Sequence, residues 1–393
     1  MQEPASQILA LLAAFVILLS GTTVAHSAVT AFSEFSNDGG AGIVVRGSGE
    51  QPRLFFACCD QGVAAMQSLF ANPGVIADLK DLHASLALAV PDLSAERAQI
   101  VHQLNATGIP LVAWIELPNE QGIYLNADDA SQAAAAFENF EKWTAQYGLR
   151  WQGVGLDIEP NLNQLVSLKG HEWRLAGLLA ARYFDRARVY RAREAYGRLI
   201  LQLQLRGYVV QTYQMPLVVA DRRAHTTLTE RLLGIVDVRG NEEVLMLYSS
   251  FVPNLGAGLV WSFGPEAQAI AIGNTQADPS AGARGIPLNW EEFSRDLIVA
   301  SHFSPIVGVY NLEGCVRQAF LGPLKTMNWS QSVLIPADSI RQANKMRGVI
   351  STLLWIGTLL PIIVAALLLL LTGLVWRWRN GRKRGKSTLS EVS

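Results

Sequence analysis

Histidine and cysteine are scarce in this chain, and nothing ahead of its C-terminal tail concentrates positive charge on one short stretch except a single arginine-rich segment. Six histidines and three cysteines occur in 393 residues. Cys58, Cys59 and Cys315 fit no metal-ligand spacing, and the histidines (His26, His83, His102, His171, His225, His302) fall outside the expected strand ends. A metal hydrolase wants histidines among its carboxylates, and serine or thiol catalysis wants a base beside the nucleophile. Both chemistries therefore lack partners, and neither a metal nor a cofactor is expected. No Gly-x-Gly-x-x-Gly turn follows the first strand, so a dinucleotide site has no support either.

The net charge is −1, yet from Arg377 onward six basic residues face only Glu391, which leaves about −6 on everything before them. An acidic body cannot neutralise phosphates over a broad face, so no nucleic-acid partner is expected. The exception is 171–205, which carries Arg174, Arg182, Arg186, Arg188, Arg191, Arg193 and Arg198. A solvated helix face paired with Asp185 and Glu194 accounts for these, with an acidic polymer or lipid headgroups as the alternative. In an oxidising compartment Cys315 would bridge Cys58 or Cys59; three simple buried thiols are the other reading.

What the chain has in quantity is apolar sequence, at 50% of residues, enough for one large core. Residues 1–28 hold an apolar run, Ile8 to Leu19, followed by Ala25-His26-Ser27, as in a signal peptide; the lack of Lys or Arg before the run keeps an uncleaved anchor open. Residues 349–376 form 28 positions without a charge, expected to cross a bilayer as one helix kinked at Pro361, with Trp355, Trp376 and Trp378 near the interfaces. The basic tail, 377–393, then places the C-terminus in the cytoplasm and the body outside a plasma membrane.

Between these ends, apolar strands alternate with helices: strands at 54–58, 85–90, 110–115, 154–159, 208–215, 244–249, 266–272 and 305–310, and helices over 62–82, 94–107, 130–147, 171–205, 221–235 and 290–301. That alternation specifies parallel pairing through crossovers, and eight strands suggest an α/β fold of the (β/α)8 barrel type over 29–320, closed and joined to the membrane by 321–348. An open doubly wound sheet is the alternative. The strands are apolar nearly throughout, as when both faces are covered, and polar residues gather where they end.

The most telling stretch is Trp151-Gln152-Gly153-Val154-Gly155-Leu156-Asp157-Ile158-Glu159-Pro160. Val154, Leu156 and Ile158 make one apolar face, and Pro160 ends ladder pairing. With a side-chain period of two, Asp157 and Glu159 share the other face, roughly 6.5 to 7 Å apart along the backbone. In a partly dry barrel mouth each would raise the other's pKa, giving an acid beside an ionised partner. Strand ends also bring Asp60, Asp92, Trp114, Glu116, Gln211, Tyr213, Tyr248, Tyr310, Asn311 and Glu313 to that mouth. Carboxylates with aromatic rings suit a carbohydrate: sugar C–H faces stack on indoles and phenols, while the acids bond hydroxyls and move protons.

Residues 153–159 resemble the strand-four signature D-G-x-D-x-D-x-E of chitinase-like glycoside hydrolases of family 18, with Asp157 at the last aspartate and Glu159 at the glutamate. The resemblance implies a (β/α)8 barrel in which Glu159 is the general acid and Asp157 orients a 2-acetamido group that itself attacks the anomeric carbon. Met246-Leu247-Tyr248 is similar to the family's Met-x-Tyr, whose tyrosine holds the acetamido oxygen. Gln152 and Gly155 stand where the first two aspartates would be, Ser249 replaces the aspartate after Met-x-Tyr, and the Ser-x-Gly-Gly of strand three and the tryptophan of strand eight are missing. The expected protein is thus a membrane-anchored hydrolase of a β-linked glycan, such as one bearing N-acetylhexosamine, with Glu159 and Asp157 catalytic and Glu116, Trp114, Tyr213, Tyr248, Tyr310 and Asn311 binding substrate. The alternative is a glycan-binding or scaffold barrel that has lost catalytic residues.

Overall fold

A computed structural model describes residues 42–117, 124–161, 164, 171–276 and 286–387. Residues 1–28, with the expected leader, lie outside them. Eight parallel strands close on one another in chain order. They are β2 (Arg53–Cys58), β3 (Ser85–Val90), β4 (Leu111–Ile115), β5 (Gly153–Asp157), β6 (Val209–Gln214), β7 (Glu242–Met246), β8 (Ala269–Gly273) and β9 (Ile306–Tyr310). β2 pairs β9, sealing the barrel. The fold is a parallel eight-stranded barrel wrapped in helices, consistent with (β/α)8, and the open sheet is set aside. A further pair, β1 (Ile43–Arg46) and β10 (Ser332–Ile335), runs antiparallel outside it.

Helices fill the crossovers where local signals allow. The stretch 62–82 divides into α1 (Val63–Phe70) and α2 (Pro73–Asp81), because Asn72 caps the second and Pro73 cannot continue the first. Ser94 caps α3 (Ala95–Thr107) through the Arg97 N–H, and Gly108 ends it in the left-handed region. α4 spans Ala130–Tyr147. The arginine-rich stretch breaks at Asp185 into α5 (Glu172–Phe184) and α6 (Arg186–Leu205). Two short helices, α7 (Leu217–Arg223) and α8 (Leu228–Leu233), stand where one was expected. α9 (Ala257–Phe263) lay hidden between glycines, and α10 (Trp290–Phe303) opens with a complete capping box at Asn289 and Glu292. α11 (Leu312–Arg317), α12 (Leu321–Lys325) and α13 (Ala337–Ser387) complete the chain.

The outward residues of the strands, such as Val154, Leu156 and Ile158, join one large core with the helices. The inward residues form a second, smaller cluster that includes Phe55, Trp114, Tyr213 and Met246 alongside Ala87, Ala89, Ala269 and Ala271. Large rings face small residues, as a barrel too narrow for a bulky side chain from every strand requires. At Gly308 an added Cβ would sit 2.2 Å from the Phe55 ring, so glycine there makes room for that ring.

The C-terminal expectations need correction. Residues 321–348, expected to close the barrel and lead to the membrane, include α12, β10 and the start of α13, which packs on α9 with Ile340 and Ala343 buried in the main core. Residues 349–376 are helical, but as the middle of the 51-residue α13. Ile350 and Leu354 are buried against α5, α7 and α8, the Tyr183 hydroxyl donates to the Gly357 carbonyl, and Thr358 reaches Thr226. The first turns of the expected span therefore belong to the globular body, and among the described residues no helix is long and apolar enough to cross a membrane. No bridge joins the cysteines: Cys58, Cys59 and Cys315 are all free and buried.

Gly308→Ala is expected to destabilise the fold by about 1 to 3 kcal/mol through overpacking. Adding Phe55→Leu should recover part of that loss, as measured by urea unfolding.

Candidate active site

β5 sets the site because its alternation is fixed by the core. Val154, Leu156 and Ile158 face the helices, so Gly155, Asp157 and Glu159 face inward. In the parallel register Gly155 lies beside Trp114 of β4, and Asp157 beside Tyr213 of β6. A Cβ at Gly155 would fall 2.6 Å from the Tyr213 ring. The aromatic ring thus fills the place where the resemblance would put a second aspartate. Tyr213 donates its hydroxyl to Gln211 Oε1 (2.7 Å), and Gln211 in turn donates to Glu242 (2.8 Å), below the mouth. Tyr213 and Gln211 therefore form the floor rather than the wall.

Trp114 lies over this floor, with its ring 6.3 Å from Tyr213 and 6.4 Å from Tyr310, both edge to face. Tyr310 stacks on Tyr248 at 5.5 Å and donates its hydroxyl to Asp60 (2.9 Å). Tyr248 and Tyr310 are half-buried, so their rings line the upper wall. Trp114 Nε1 and Asp157 Oδ1 are both buried and neither has a hydrogen-bond partner among the described residues. Two unmet buried polar atoms among carboxyls and aromatic rings are groups that a ligand hydroxyl or amide could satisfy.

Several carboxyls share this space. Burial pushes Glu116 up to about 8, helped by the charge of Asp60, with Arg97 pulling weakly the other way. Burial also raises Glu159 to about 7. Asp157 is raised well above the usual carboxylate range by burial and then by the charges of Glu159 and Glu116, while the nearby Trp114 N–H favours its ionised form. Glu313 accepts the Cys59 N–H (2.7 Å), and burial still lifts it to about 7. The mouth therefore holds protonated and ionised carboxyls side by side near neutral pH, the condition for paired acid and base work.

Two expected members serve elsewhere. Asn311 is buried, and its side chain caps α11 by accepting the Gly314 N–H (3.0 Å). Asp92 pairs with Arg97 (2.8 Å); burial works against its charge, but the Arg97 and Ser94 hydrogen bonds prevail and hold it below its ordinary value. Ser249 donates to the buried Asp296, away from the aromatic wall. One residue was missed. Leu125 bridges Ile158: the Leu125 N–H donates to the Asp157 carbonyl (3.0 Å), and the Glu159 N–H donates to the Leu125 carbonyl (2.9 Å). This lap brings Tyr124 to the mouth, where burial and the charges of Glu159, Asp157, Glu116 and Asp60 raise its phenol. Asp128 ties the same loop to Arg188 (2.7 Å) and Arg182 (3.3 Å), so part of the arginine-rich segment braces the site from behind. Strand parity could not have found Tyr124; the Asp128-Asp129 pair opposite seven arginines was the available signal. Among the described residues no group of three or more His, Cys, Asp or Glu side chains is arranged to hold a metal ion.

The fold and site define a parallel eight-stranded barrel with an acid-and-aromatic mouth at the C-terminal ends of its strands. No protein-family model matches the sequence, and no curated protein matches it. Among solved structures the chain is similar to the glycoside hydrolase domain of PgaB (BpsB) from Bordetella bronchiseptica, at 12% identity and a TM-score of 0.42, over 70% of this chain and 98% of that one. It is also similar to dihydropteroate synthetase crystallised with a product, at 11% identity and a TM-score of 0.30, over 73% and 99%. The barrel assignment rests on the strand pairing itself and not on these likenesses.

The raised carboxyls have a consequence for stability. A group whose folded pKa lies above its unfolded value stabilises fully below the unfolded value and loses that contribution as pH rises through the folded one. For Glu116, between 4.5 and about 8, the unfolding free energy should fall by up to about 5 kcal/mol as pH climbs across that window. Urea titrations at both ends should show the fall, and Glu116→Gln should shrink it by the Glu116 share, leaving the part due to Glu159, Asp157 and Glu313.

Proposed function

We propose that this chain is an extracytoplasmic, membrane-tethered glycoside hydrolase acting on a β-linked glycan. The observation that supports this best is the pair Asp157 and Glu159, facing inward at the end of β5 beside Glu116, with both carboxyls raised by burial and Tyr124, Tyr248 and Tyr310 around them. In this reading Glu159, half-buried at the rim and raised to about 7, protonates the glycosidic oxygen. Asp157, one step deeper and held protonated by burial and by the charge of Glu159, takes with the Trp114 N–H the 2-acetamido group that the sequence resemblance implies. Stacked Tyr248 and Tyr310 receive a sugar face. If a separate carboxylate is needed, Glu116 on the neighbouring strand is the group placed to supply it.

The tether is the free part of α13. Counted on the full sequence, with Leu360, Ile363, Val364 and Leu367 beside the described side chains, residues 359–376 follow the Thr358 hydrogen bond to Thr226 and carry no charge; 18 helical residues would measure about 27 Å, close to the hydrocarbon thickness of a bilayer. The described side chains from Pro361 to Arg377 are all exposed, including Ile362, Leu368 to Leu371, Leu374 and Trp376. The basic tail after them sets the body on the outer side.

A second reading is favoured by Gly155. With Tyr213 over it and Ser249 turned to Asp296, two acids of the resembled signature have no counterpart in the mouth, and a barrel that binds glycans without cleaving them fits that loss. Glu159→Gln separates the readings. On a chromogenic β-glycoside it should lower kcat by about 10²- to 10⁴-fold with the thermal midpoint retained, and the wild-type rate should decline as pH rises through about 7. An inactive wild type that binds oligosaccharide, with affinity lost in Tyr248→Ala, would instead make it a binding protein.

A further inference from the structure

α5 is apolar on two faces, and the body covers only one of them. Its inner side buries Leu179 and Tyr183 against Leu228 and Leu232 of α8 and Ile350 and Leu354 of α13. Its outer side presents Trp173, Gly177, Ala180, Ala181 and Phe184, at steps of four, three, one and three, a single stripe along about three turns. All five are exposed, Trp173 at 72% and Phe184 at 71%. A surface helix in water carries polar residues on its outer side. Here the stripe is uncharged, and the cations stand beside it: Arg174, whose guanidinium lies 5.1 Å over the Trp173 ring, and exposed Arg186 and Arg191 at the start of α6, with Tyr190 between them.

We propose that this face of α5 lies in the headgroup layer of a phospholipid bilayer, Trp173 and Phe184 reaching the acyl boundary and Arg174, Arg186 and Arg191 meeting lipid phosphates. Position selects this occupant. The Phe184 ring packs edge-on against Tyr183 at 4.8 Å, and Tyr183 donates its hydroxyl to Gly357, in the last turn of α13 that touches the body. The stripe therefore ends where the uncharged run of α13 departs, with exposed Trp355 and Ile356 in that same turn. Aromatic residues flanked by arginines are the composition of a helix lying in the interface plane. The inference rests on the tether proposed above and adds to it a second contact, which fixes the side of the barrel turned to the membrane.

The test uses the full chain in phosphatidylcholine vesicles with and without phosphatidylglycerol. Single cysteines at Ala180, Leu368 and Gln202 carry nitroxide labels, the three native thiols being buried. Oxygen and nickel-chelate accessibilities are then read by electron paramagnetic resonance. The expected result is an oxygen-to-nickel ratio several-fold higher at 180 and 368 than at 202 on the exposed side of α6, with the ratio at 180 rising further in phosphatidylglycerol and falling to that of 202 in Trp173→Asp/Phe184→Asp. Water-like access at 180 with lipid-like access at 368 would overturn the α5 contact and leave the tether standing. Water-like access at 368 would overturn the tether, and the α5 contact with it. Dipolar broadening at 180 that vanishes on dilution in lipid would assign the stripe to a second copy of the chain and overturn the proposal.

Discussion

A closed barrel of eight parallel strands has no room for an empty centre, and the rest of this molecule follows from how that centre is filled. Phe55, Trp114 and Tyr213 occupy it, and Gly155, Gly308 and the alanines of β3 and β8 give way to them. Packed rings below leave polar inward positions only above, at the strand ends. Water there is limited on one side by the rings and on the others by strands, so carboxyls that would ionise freely on a surface are held partly protonated. The chemistry of the mouth is in this sense a product of the packing beneath it.

How much of this was legible from residues alone depended on whether a local signal decided the matter. β3 and β4 were readable because an unbroken apolar run has no other use between helices of that length. The alternation through Val154, Leu156 and Ile158 fixed the direction of Asp157 and Glu159 without any tertiary knowledge. β7 was placed two residues late because Glu242 and Glu243 look like loop residues until their partners are seen, Arg53 for one and Arg222 with Arg239 for the other. α9 escaped because Gly256 and Gly258 flank its start; at Gly258 a Cβ would fall 2.3 Å from the Ser339 carbonyl, so the glycine serves close approach to α13 rather than a turn. Tyr124 and Asn311 show the limit of strand parity: a lapping loop brought one side chain to the mouth, and a helix terminus claimed the other.

The arginines of α5 and α6 illustrate how one composition serves several tasks. Arg198 pairs with Glu194 in the helical manner expected of a solvated face. Arg193 instead neutralises the buried Glu230, and Arg182 and Arg188 hold Asp128 and with it the loop that carries Tyr124. Arg186 and Arg191 remain on the outside. Sequence spacing alone cannot sort these roles, because helical neighbours and distant acids attract a guanidinium equally well.

The contact between Gly155 and Tyr213 gives the site a directional history. A carboxylate arriving at 155 while the ring is present has nowhere to go, whereas one arriving after the ring has shrunk finds a vacant position. The two substitutions are therefore not interchangeable in order: a side chain gained at 155 requires β6 to change first, and a ring gained at 213 requires β5 to change first. Epistasis of this kind is written into the barrel by a 2.6 Å separation, independent of what the mouth receives.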